Sequence, residues 1–96
     1  MNDELGRVTE ELEREAQECA RLEVPQWGEV WRAYKELASS ISNAIDVFWM
    51  LGEFRWAAGS QSRLIDTKRQ ARRHLASMRE RHVEAERSRK HEAGNE

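Results

Sequence analysis

Apolar residues recur every three or four positions along most of the chain, and the recurrence breaks near Pro25 and again near Gly59. In the first stretch Leu5, Val8, Leu12, Ala16, Cys19 and Leu22 share one stripe, while Glu residues cover the other sides. This predicts a helix over about residues 3–24, with Asn2 or Asp3 as its N-cap. Pro25 ends it, because the proline ring disfavours helical backbone at Val24. The same proline suits the first turn of a following helix.

That second helix is expected over about residues 25–58, roughly 50 Å at about 1.5 Å per residue. Counted in heptads, Trp27, Tyr34, Ile41 and Phe48 fall at a, and Val30, Leu37, Ala44, Leu51 and Ala58 at d. Trp31, Ala38, Ile45 and Gly52 fall at e, giving the wide apolar face of a globular bundle helix. Arg32, Ser39, Asp46, Glu53 and Ser60 keep the f side polar. From Val47 onward the remaining sides change character. Val47, Trp49, Met50, Phe54, Trp56 and Ala57 stand where polar or small residues stood upstream.

Gly59 reads as a left-handed C-cap, with Ser60 or Ser62 capping a third helix over about residues 62–88. Leu64, Ala71, Leu75, Met78, Val83 and Ala85 lie near one side of it, Ile65 and Ala76 widen that stripe, and Lys68 and His82 interrupt it. The short connection makes helices two and three antiparallel neighbours. The expected fold is all-α: a long antiparallel helical hairpin with a shorter N-terminal helix, resembling a three-helix bundle and dimeric. Residues 1–88 form a single domain in this reading, and residues 89–96 a flexible charged tail.

Composition agrees with helix throughout. The 96 residues include one Pro and five Gly, with 39% hydrophobic and 35% charged positions. The net charge of −2 conceals opposed halves: 12 acids and 6 bases up to residue 60, then 6 acids and 10 bases. Such halves attract each other within or between chains. A single cysteine forms no internal disulfide and fits a reducing compartment. The acidic opening does not read as a signal peptide, and Asp46, Glu53 and Arg55 interrupt the longest apolar run. A cytoplasmic protein with no membrane partner is expected.

Candidate chemistry narrows the field. His74, His82 and His91 are eight and nine residues apart, whereas helical metal sites use ligands three or four apart. Glu15 and Glu18 have the Glu-x-x-Glu spacing of magnesium-binding helical pyrophosphatases, but no second carboxylate pair accompanies them. Cys19 lies on the apolar stripe among Glu residues, which raises a thiol pKa. No catalytic, cofactor or metal residues are therefore assigned, and no enzyme activity is expected.

The aromatics carry more information. Trp27, Trp31, Tyr34 and Phe48 read as core, but Val47, Trp49, Met50, Phe54 and Trp56 are a surplus that the helix's own packing face does not absorb. They are assigned to an interface with a protein partner, either a second copy in a homodimer or a larger complex. The expected function is a non-catalytic interaction module: an adaptor, assembly factor or small inhibitor of a larger complex. Small phage- and mobile-element-encoded helical proteins belong to that class. The second-ranked reading is nucleic-acid binding by the basic third helix through Lys68, Arg69, Arg72 and Arg73.

Overall fold

In the computed structural model, which describes residues 3–94, three α-helices account for nearly all of the chain: α1 Asp3–Arg21, α2 Trp27–Met50 and α3 Phe54–Gly94. The apolar stripe of α1 is where its spacing puts it, with Val8, Leu12, Ala16 and Cys19 all buried. Around Leu12, Ala16, Cys19, Val24 and Leu75 pack Leu22, Trp27, Val30, Trp31, Tyr34, Ala71 and Met78, so each helix contributes to one core.

Both connections differ from the expected ones, and local hydrogen bonding explains how. After α1, Glu23 adopts a left-handed backbone (φ 54°). Its N–H donates to Ala20 O at 3.1 Å and that of Val24 to Cys19 O at 3.0 Å. This is a Schellman closure, and its characteristic apolar contact is supplied by the buried Val24. The helix thus stops at Arg21, before Pro25 has any influence. Gln26 is also left-handed (φ 67°) and stands as the N-cap of α2, so Pro25 precedes the helix and does not open it.

The hairpin turns at residues 51–53, not near Gly59. Gly52 has φ 73°; its N–H donates to Trp49 O at 3.1 Å, and that of Glu53 donates to Phe48 O at 2.8 Å. The second Schellman closure therefore uses the glycine that fell at an e position in the heptads. Gly59 lies inside α3. Two core assignments fall with this shift, since Leu51 and Ala58 are exposed, as is Leu37. Ala57, counted with the surplus, is instead buried. At the far end α3 continues to Gly94, through most of the segment expected to be a flexible tail. Asn2, the alternative N-cap, and residues 95–96 lie outside the described residues.

Cross-links between helices set their direction. Glu4 bonds Arg69, Glu11 bonds Arg72, Glu15 bonds Arg79, and Leu22 O meets His82 Nε2. Residue numbers rise together along both helices, so α1 runs parallel to α3, and α2 runs back between their ends. The molecule measures 68 × 23 × 16 Å. Its middle has three helices abreast, but Glu4 already sits level with Arg69. The fifteen residues of α3 that precede Arg69 extend roughly 20 Å beyond that level, with only α2 alongside among the described residues. No helix among the described residues is long and apolar enough to cross a membrane.

Candidate interaction surface

Beyond the first turn of α1, toward the 51–53 turn, the apolar surface begins. Val47, Trp49, Met50, Leu51, Phe54 and Trp56 are all exposed, from 50% at Val47 to 85% at Met50. They lie on both sides of the 51–53 turn, not on one helix. The turn brings Trp49 and Phe54 to a ring separation of 4.9 Å, and Phe48 and Trp56 to 6.0 Å. These tilted pairs brace the hairpin end yet leave more than half of Trp49, Phe54 and Trp56 accessible. All five residues assigned to an interface are thus brought together at one end, and Leu51 joins them. Its d position had disguised it as core, because the heptad count assumed that the helix went on.

Beside Trp56 a groove of about 510 Å³ runs along the outer face of α3, lined by Arg55, Trp56, Gly59, Ser60 and Arg63. A methyl group at Gly59 would meet nothing within 4 Å, so the groove floor is open. The end also carries charges of both signs. Asp46, Glu53, Arg55 and Arg63 are exposed, and among the described residues none of their side chains forms an ion pair within the chain.

The basic candidates are arranged differently. Arg69 is held by Glu4 and lies 3.8 Å from Asp66, and Arg72 donates to Glu11 at 3.2 Å. Arg79 grips both oxygens of Glu15 at 2.9–3.1 Å, which raises the arginine's pKa further. Lys68 donates to Tyr34 Oη at 2.9 Å and sits 5.6 Å from the centre of that ring. Arg73 is exposed and has no such partner among the described residues. The opposed halves of the sequence therefore meet inside one chain, along the α1–α3 seam.

The residues that interrupted the third stripe have work of their own there. His82 reaches an otherwise orphaned carbonyl at the end of α1, and Lys68 bridges to α2. Spacing alone had placed both as interruptions, since their partners are distant in sequence. Glu15 and Glu18 do not converge on a cation: the first is bound by Arg79 and the second by Arg21. Among the described residues no group of three or more His, Cys, Asp or Glu side chains is placed to hold a metal. Cys19 is fully buried with Sγ 3.5 Å from Leu75 O; burial first, then the Glu15 carboxylate, pushes its thiol pKa up. Compared with models of protein families, with curated proteins and with solved structures, the chain finds no match in any of the three.

Proposed function

We propose that the chain is a non-catalytic protein–protein interaction module whose docking surface is the α2–α3 hairpin end. The single observation that supports this is the joined exposure of Val47, Trp49, Met50, Leu51, Phe54 and Trp56. Three aromatics of roughly 150–250 Å² each, more than half exposed, leave about 300–400 Å² of ring surface in water, and the three aliphatic residues enlarge it. That reaches or exceeds the largest apolar patch of an ordinary monomer. An adaptor, an assembly factor and an inhibitor all act through such a patch, and a homodimer uses it equally well. The chain's own chemistry is then the burial of this surface against another protein.

The test is made on dilute protein. Met50→Cys gives a thiol that reacts at the rate of an unhindered one while Cys19 stays protected, and Trp56→Glu leaves the melting temperature within a few degrees of wild type. Cooperative unfolding by Trp56→Glu would make the hairpin end part of the core and remove the proposal.

Nucleic-acid binding by α3 remains the competing proposal and has less behind it. Of Lys68, Arg69, Arg72 and Arg73, only Arg73 lacks a partner within the chain among the described residues. A phosphate backbone would have to displace the α1 carboxylates. The expected result is no saturable DNA or RNA shift at 150 mM salt. A shift that is lost in Arg69→Ala, Arg72→Ala and Arg73→Ala would reverse the ranking.

A further inference from the structure

We infer that the occupant of the hairpin end is a second copy of this chain, joined end to end about a two-fold axis so that two uncovered helical pairs become one four-helix junction. The inference rests on the hairpin end being a docking surface, and three observations select the partner.

The first is area. The exposed apolar side chains of the end amount to roughly 600 Å² per chain. Complete burial in two copies removes about 1,200 Å² from water, the lower edge of the range of specific interfaces before any polar rim is counted. The patch is large enough to be closed by its own duplicate.

The second is charge. A two-fold interface sets each residue's surroundings against the same surroundings of the partner, so a patch of one sign repels itself. Here Asp46 and Glu53 are matched in number by Arg55 and Arg63, and among the described residues none of the four side chains forms an ion pair within its own chain. A neutral end with two charges of each sign is self-complementary: acids of one copy face bases of the other. A strongly acidic or basic partner would find half of this rim repulsive.

The third is shape. The groove beside Trp56 is an open concavity over Gly59 with the Trp56 ring on one side and Arg55, Ser60 and Arg63 on its rim, and Met50 is a flexible apolar knob standing 85% exposed at the neighbouring helix end. Knob and groove occur on the same chain, so each copy supplies what the other receives.

The experiment uses complementary charge reversals, with mass followed by light scattering at low salt. The wild-type chain is expected to be a dimer at 50 µM. Asp46→Arg with Glu53→Arg makes an all-basic end, and Arg55→Glu with Arg63→Glu an all-acidic one. Each alone should dissociate at least tenfold more readily, and an equal mixture should regain a 1:1 dimer near wild-type strength. Gly59→Trp should also give monomers, because the groove is filled while its Cβ has open space in the fold. Circular dichroism checks that every variant stays helical.

If wild type is monomeric at 200 µM and the Met50→Cys thiol is still freely labelled, the second copy is excluded while the docking surface stands. If wild type is monomeric and that thiol is protected, both readings fall. A wild-type dimer whose two reversed forms fail to recombine, although folded, overturns the end-to-end arrangement.

Discussion

The middle of the molecule and its hairpin end contain similar apolar side chains and treat them oppositely. In the middle, Leu12, Cys19 and Leu75 are almost fully enclosed because three helices surround them, and the half-buried Trp27, Trp31 and Tyr34 roof them over. At the end, among the described residues, Trp49, Phe54 and Trp56 have only two helices and a three-residue turn for company. Residue type does not separate the regions; the number of neighbouring helices does. Two helices bury one shared seam, and a third lane must be filled before side-facing residues are covered. Beyond the N-terminus of α1 no described residue fills that lane.

The largest predicted difference between the regions is in stability. Leu75→Ala should cost about 3 kcal/mol, since it opens a cavity among fixed neighbours. Trp56→Glu should change the unfolding free energy of the dilute chain by less than about 1 kcal/mol, despite deleting the larger side chain. Chemical denaturation of both variants at low micromolar concentration decides the matter. Equal losses would mean that the end is as enclosed as the middle.

The ion pairs on the α1–α3 seam give the next contrast. Glu15 has a well-buried side chain and holds Arg79 through three short contacts, so Glu15→Gln should cost about 1–2 kcal/mol. Glu4→Gln, at a half-exposed pair, should cost at most about 0.5 kcal/mol and lose that in high salt. Melting curves at 50 mM and 1 M NaCl distinguish them.

Two glycines near the hairpin end should respond with opposite signs. Gly52→Ala forces a Cβ into left-handed backbone and should cost about 1 kcal/mol. Gly59→Ala lies in a helix interior with open space around it and should add about 0.5–1 kcal/mol. The reverse order would restore the turn to Gly59.

The smallest effect is a pH dependence. The folded Cys19 thiol has a raised pKa, so the unfolded chain ionises first as pH rises and is favoured by doing so. The advantage of wild type over Cys19→Ala should be constant below about pH 8 and shrink above the ordinary thiol pKa of about 8.5. A difference that grows with pH would contradict the burial.

Much of the fold could be read from spacing. The α1 stripe was legible because helical periodicity is set by neighbours three and four residues away. The surplus at Val47, Trp49, Met50, Phe54 and Trp56 was legible for the same reason, as residues outside the packing face. The turn was not. Both Gly52 and Gly59 satisfy the local rule for a helix end, and continuing the heptads through Gly52 gave an acceptable pattern. That continuation placed Leu51 and Ala58 in the core and put Phe54 and Trp56 on the wrong helix. The early stop of α1 was equally hidden, since Glu23 carries none of glycine's preference for the conformation it adopts.

By itself, then, the sequence determined three helical segments, the buried stripe of α1 and the apolar excess near the middle of the chain, all consequences of short-range spacing. Only the tertiary structure decided which glycine turns the hairpin, that acidic α1 runs beside the arginines of α3, and how far along the hairpin α1 reaches. The last two of those features depend on contacts between residues some sixty positions apart. Such contacts leave no periodic trace in the chain, and they alone set which side chains a third helix leaves in water.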